Sequence, residues 1–175
     1  MDEAAEQAFE HYFRDRRDAV RRNAYLICGD WHRADDLAQT AFVALHRKWL
    51  TIREPAAVDA YVRRILVRAA IDESRRPWRR ERAVSEPPEP VGGGSRMDGP
   101  TERIATRHAL VDALRQLPPR QRAVLVLRYL EGLDVAATAQ ALGCREGTVK
   151  SQTAHGLAAL RTVLGGALDD LRPAG

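Results

Sequence analysis

The sequence predicts an all-α fold: two small helical domains joined by a flexible linker. Three observations predict it. Apolar residues recur at helical spacing through both halves of the 175-residue chain, and neither half shows the period-two alternation of strands. A stretch at 85–100, SEPPEPVGGGSRMDGP, carries prolines, a glycine triplet and almost no apolar side chains. It cannot bury enough surface to offset its chain entropy, so it reads as a tether. Finally, the stretch 134–161 has the pattern of two short helices about a glycine turn. The resulting division is 1–80, a tether at 81–103, and 104–172.

In the first half, Ala8, Phe9, Tyr12, Phe13, Val20, Ala24 and Ile27 lie on one helical face, and Gly29-Asp30 ends that helix. A second helix is predicted from about Arg33 to Trp49, with Leu37, Ala41, Ala44 and Leu45 recurring. Thr51 to Ala57 reads as a loop because it contains Pro55, and proline disfavours helix in the residue before it. A third helix is predicted from about Val58, with Asp59 favouring its N-terminus, to about Arg76, since Pro77 cannot continue it.

The second half opens with a predicted helix from about Glu102 to Gln116, ended by Leu117-Pro118-Pro119. Pro119 suits the first turn of the next helix, predicted to run to Leu130 and to turn at Glu131-Gly132. Two helices follow, Asp134–Leu142 and one opening near Arg145. Ala139, Gly143 and Val149 fall where a helix-turn-helix needs a small contact residue, a turn residue and a buried aliphatic. Val149, Leu157 and Leu160 form the predicted packed face of the second helix, with Gly156 allowing close approach. Such a second helix enters the DNA major groove. At Gly165-Gly166 the sequence allows this helix either to continue or to break.

The net charge is +4, and its distribution matters more than its size. Between Val58 and Arg82 stand eight arginines against four acids, a surplus equal to that of the whole chain. On a helical wheel Arg64, Arg68, Arg75 and Arg79 share one arc, opposite Val58, Val62, Ile65, Leu66 and Ala69. Guanidinium pairs with phosphate in bidentate fashion and stays charged at any cellular pH. A solvated charged helix is the bland alternative. The helix-turn-helix in the same chain favours nucleic acid.

Other chemistry finds no constellation. Asp35 and Asp36 are adjacent, so on a helix they point about 100° apart and make no paired-carboxylate site. The five histidines and two cysteines show no metal-ligand spacing. Gly92-Gly93-Gly94 lacks the residues of a phosphate loop. The sequence therefore predicts no enzyme, no metal, no cofactor and no small-molecule substrate. MDEAAEQAFEHYF is no signal peptide, and no run approaches a membrane span, so the expected location is the cytoplasm.

Several strings, in order, resemble one family. Asp35 to Leu45, DDLAQTAFVAL, is similar to sigma region 2.2. Tyr61-Val62-Arg63-Arg64-Ile65 and Ala70-Ile71-Asp72 resemble region 2.4. Leu117 to Arg122 and Gly147 to Ser151 are similar to the ends of region 4. The chain thus resembles an extracytoplasmic-function (ECF) RNA polymerase sigma factor of the sigma-70 family, and the GTVKSQ wording resembles the sigma-E-type actinobacterial subgroup.

The resemblance implies a region 2 helical bundle and a region 4 helix-turn-helix. It implies core RNA polymerase, through its β′ and β subunits, and promoter DNA as partners, and it allows an anti-sigma factor. It implies polymerase contact by Asp35, Asp36, Gln39, Thr40 and Phe42. It implies −10 element contact by Arg53, Tyr61, Arg64, Arg68 and Arg75, and −35 contact by Arg145, Thr148, Lys150, Ser151, Ala154 and His155. The chain departs from the pattern in four places. Arg68 stands where Asn is frequent, Tyr61 where Trp is frequent, Gln152 and His155 where Arg is often found, and Thr40 where an acid is usual. The competing reading is a stand-alone helix-turn-helix repressor, which would bind a palindromic duplex as a dimer without polymerase.

Overall fold

The computed structural model describes residues 2–52, 54–75 and 100–165. Among them every regular element is helical. Helices α1 (Glu3–Cys28), α2 (Trp31–Lys48) and α3 (Pro55–Ser74) form the first half, with a single 3₁₀ turn at Trp49–Thr51. Helices α4 (Pro100–Arg115), α5 (Pro119–Leu125), α6 (Val135–Leu142) and α7 (Glu146–Leu164) form the second. Arg53 and the tail from 76 to 99, with Arg76, Arg79, Arg80 and Arg82, lie outside the described residues, as does most of the segment read as a tether.

The helix ends follow from local chemistry. The Asp2 carboxylate accepts from the Ala5 amide, that of Asp30 from Arg33, and that of Asp134 from Ala137, at 2.9, 2.7 and 2.7 Å. Each occupies one of the amides that a helix start leaves without a partner. Gly29 and Gly143 end α1 and α6 at φ +76° and +63°, where a side chain would be strained.

Two expectations need correction. Pro55 lies inside the first turn of α3 rather than in a loop before it. A proline there loses nothing, because a first-turn amide has no helical partner. Asp59 is therefore too deep to act on the helix N-terminus. It bonds across to α1 instead, accepting from Tyr12 Oη at 2.8 Å and pairing with Arg16 at 2.6 Å. The helix expected to run evenly to Leu130 is α-helical only to Leu125. Val126–Leu130 then widen into a π turn, closed by the Glu131 amide on the Val126 carbonyl at 3.0 Å.

The two halves share one hydrophobic core. Ala24, Ile27, Leu37, Leu45, Val62, Leu66 and Val67 of the first belong to the same buried cluster as Leu114, Leu125, Val126, Leu127 and Leu160 of the second. A flexible tether predicts domains of variable relative orientation. Here they are packed together, α1 and α3 against α4, α5 and α6.

Candidate nucleic-acid interface

The helix-turn-helix is built as its sequence requires. Ala139 and Val149 are buried with Val124 in a small cluster under the turn. Gly143 supplies the left-handed residue between the helices. Farther along α7, a methyl at Gly156 would sit 3.2 Å from Leu125, so glycine lets α7 lie directly on α5.

This packing leaves one face of α7 outward. Lys150, Ser151, Ala154 and His155 are exposed, as is Arg145 at the helix start. The Ser151 hydroxyl donates back to the Thr148 carbonyl at 3.0 Å, so it must rotate to meet a base. Thr148 differs from its neighbours. It is only partly exposed, and with Gln152 it lines a small cleft whose other wall includes Ile71 of α3.

Of the α3 stripe, Arg64, Arg68 and Arg75 fall among the described residues. Val58, Val62, Leu66, Val67, Ala70 and Ile71 are buried. Arg68 and Arg75 are exposed, Arg64 partly so. The Arg64 guanidinium lies over the Tyr61 ring, 5.5 Å from its centre. The Arg68 guanidinium reaches across to Gly143, where it fills the space a Cβ would take. Arg63 turns away from this face and pairs with Glu131 at 3.2 Å.

On α2, Asp36, Gln39 and Thr40 form an exposed stripe at i, i+3, i+4 spacing, with Asp35 beside them. Arg21 of α1 holds Asp35 through two hydrogen bonds, and its guanidinium lies 4.4 Å over Trp31, which stacks on Tyr25 at 3.9 Å. The Thr40 hydroxyl is committed to the Asp36 carbonyl at 2.8 Å. Phe42 does not join this face. It is 5% exposed and packs edge-on against Phe13, at 4.8 Å between ring centres. The outward apolar residue is its neighbour Val43, 46% exposed, which extends the stripe by one turn. Sequence reasoning missed Val43 because it continues an apolar run that reads as core.

Among the described residues no group of His, Cys, Asp or Glu could hold a metal ion, and no helix is long and apolar enough to cross a membrane.

Residues 12–80 match the family described as Sigma-70 region 2, and residues 107–160 match Sigma-70, region 4. The chain is 41% identical over 156 residues to the RNA polymerase sigma-E factor of Streptomyces coelicolor, covering 89% of this chain and 85% of that protein. It is 35% identical over 158 residues to the ECF RNA polymerase sigma factor SigM of Mycobacterium tuberculosis, covering 90% and 78%. The fold is similar to that of the sigma factor RpoE from Bartonella quintana, solved in complex with the anti-sigma factor NepR. The TM-score is 0.70 over 92% of this chain and 99% of that one, at 23% identity. CnrH, solved with the cytosolic domain of CnrY, gives a TM-score of 0.61 at 20% identity, over 93% of this chain and 90% of that one.

Proposed function

This chain belongs to the ECF RNA polymerase sigma factors of the sigma-70 family, of the sigma-E type, and from that premise we propose how its residues divide the work. It binds core polymerase and directs promoter-specific initiation, so the stand-alone repressor reading falls.

Residues 1–80 act as the unit that holds polymerase and the −10 element, 81–103 as the tether, and 104–172 as the −35 reader. Asp35, Asp36, Gln39, Thr40 and Val43 present the polymerase contact. The observation that supports this is their shared outward face on α2, away from the buried side of the bundle. Phe42 serves that face from beneath, by fixing α2 on α1.

Opening the −10 element requires taking a base out of the stack, which costs a few kcal/mol. The backbone must be gripped while this happens. Arg64, Arg68 and Arg75 provide cations for the phosphates, and Tyr61 provides a ring beside them. Arg53 belongs to the same region by sequence.

At the −35 element, Lys150 and Arg145 meet phosphates, while Thr148, Ser151, Ala154 and His155 meet base edges. Lysine and hydroxyl donors suit those acceptors, and the Ala154 methyl suits a thymine methyl. Arg145 places no side-chain oxygen on the α7 start, which leaves first-turn amides for a phosphate.

The protein works in the cytoplasm, where its template is, and carries out no catalysis of its own. RpoE is solved with the anti-sigma factor NepR, and CnrH with the cytosolic domain of CnrY. A protein partner of the anti-sigma class is proposed here too. Reconstitution tests the whole reading. Purified chain added to core polymerase should give transcription from a promoter of its own regulon. Failure to bind core polymerase, with retention of duplex DNA by the chain alone, would overturn it.

A further inference from the structure

Four side chains of α1 and α2 interlock beside the stripe that carries Asp36, Gln39 and Thr40. Phe9 meets His46, Phe13 meets Phe42 and Tyr25 meets Trp31, so the two helices run antiparallel. Arg21 and Tyr25 lie one turn apart on α1, and Trp31 and Asp35 one turn apart on α2. The two pairs therefore face each other. Tyr25 is buried and stacks on Trp31 with the ring planes within 5°. Trp31 opens α2 behind the Asp30 cap, so a buried ring and a capped helix start both fix its indole. The Arg21 guanidinium rests over that indole. From there its Nε and Nη2 donate to the two Asp35 oxygens, the second at 3.2 Å.

Stability does not account for this arrangement. The side chains of Arg21 and Asp35 are 40% and 51% exposed, and an ion pair so open to water contributes little to folding. Ala24, Leu37, Ala41 and Phe42 already join the two helices through buried apolar contact. What the pair does is orient a carboxylate. A planar fork permits one orientation of its partner. It occupies two of roughly four acceptor positions on the carboxylate, and the exposed remainder can still accept from another molecule. A side chain ordered before binding spares the complex the cost of ordering it.

We propose that Arg21 is a positioning residue for polymerase binding: seated on the Trp31–Tyr25 stack, it sets the Asp35 carboxylate in the orientation that polymerase meets. The inference rests on the reading of Asp35 as a polymerase contact. It also carries a sign. If the acids of α2 acted by simple attraction, removing Arg21 would unmask a negative charge and tighten binding. Positioning requires the opposite.

Capture of core polymerase by the full chain tests this, through Arg21→Met, Asp35→Asn and the double variant. Asp35→Asn should weaken capture about tenfold. Arg21→Met should weaken it about threefold, the scale of ordering one side chain. The double should be no weaker than Asp35→Asn alone, because a positioning residue has nothing left to position. Arg21→Lys keeps the charge without the fork and should stay within about twofold of Arg21→Met. The urea midpoint of Arg21→Met should move by no more than about 0.5 M. A larger shift makes the pair a staple of the fold and overturns the proposal. Losses that add in the double mean that Arg21 touches polymerase itself, and full recovery in Arg21→Lys means that charge alone suffices; each overturns it. Unchanged or tighter capture by Arg21→Met, with Asp35→Asn weakened, overturns the positioning role and leaves Asp35 a polymerase contact. Unchanged capture by Asp35→Asn overturns that contact and the positioning role together.

Discussion

The guanidinium of Arg122 donates to the carbonyl of Ile27 at 2.8 Å, joining the end of α1 to the start of α5. The same group donates to the carbonyls of Arg115 and Leu117, each at 3.0 Å. Those of Ile27 and Arg115 close α1 and α4, where a helix leaves carbonyls unpartnered and negative in partial charge. One buried cation thus serves two helix ends and the turn beyond them. Arg122→Met should lower unfolding stability by about 3 kcal/mol, because each buried carbonyl left without a donor costs roughly 1–3 kcal/mol. Arg122→Lys should fall between, keeping the charge but not the planar fork. Denaturant titration measures both.

The pH dependence of that loss follows from burial. Desolvation pushes the Arg122 guanidinium down to about 10. A base with a lowered folded value is penalised in the fold below that value, and the penalty fades as pH rises through it. Between pH 6 and 9 the group stays protonated, folded or unfolded. The Arg122→Met deficit should therefore be constant across that range. A deficit that doubles between those limits would mean that another group titrates at the same contact.

The two cysteines should react at different rates. Cys28 is buried, its Sγ donates to the Asp30 carbonyl at 3.2 Å, and burial pushes its thiol up. Less thiolate and less access both slow alkylation. Cys144 is partly exposed beside α3. Maleimide should label Cys144 within minutes and Cys28 at least tenfold more slowly. Mass spectrometry of tryptic peptides reads both sites.

Phe42 and Val43 should separate stability from binding. Phe42→Ala should cost about 3–4 kcal/mol of unfolding free energy, because it empties a packed position against Phe13. Val43→Glu should change stability by less than about 0.5 kcal/mol, as exposed positions do. It should nonetheless weaken core polymerase capture at least tenfold, as should Asp36→Arg. Equal losses of capture for Val43→Glu and for a charge change on the far face of α1 would sink that assignment.

Lys150→Ala should weaken duplex binding by the chain on core polymerase to a similar degree across promoter sequences and lower the magnitude of the salt slope by about one, as loss of one phosphate contact does. Ser151→Ala should instead alter preference at one base pair. Filter binding at several salt concentrations distinguishes them.

The sequence was most legible where a single residue type answers a local need. Gly143 takes the positive φ, Ala139 and Val149 pack under it, and Gly156 lies under Leu125. Such requirements are written within a few residues. The docking of the halves was not legible. Arg63 reads as one more member of a basic run, and only the fold sets it against Glu131. Arg122 falls in a motif of known resemblance, yet its carbonyl partner Ile27 lies far away in the chain. Apolar periodicity marks a face as buried without saying what buries it. The same reason separates Phe42 from Val43, since both are apolar and adjacent, and only packing decides which turns inward.

The Tyr61 ring under Arg64 has a consequence for timing. A long cationic side chain in water samples many rotamers and gives up that freedom when it grips an anion. Resting on an aromatic face, Arg64 has given up part of it beforehand. The grip on a separating strand can then form in the brief interval during which a base stands unstacked.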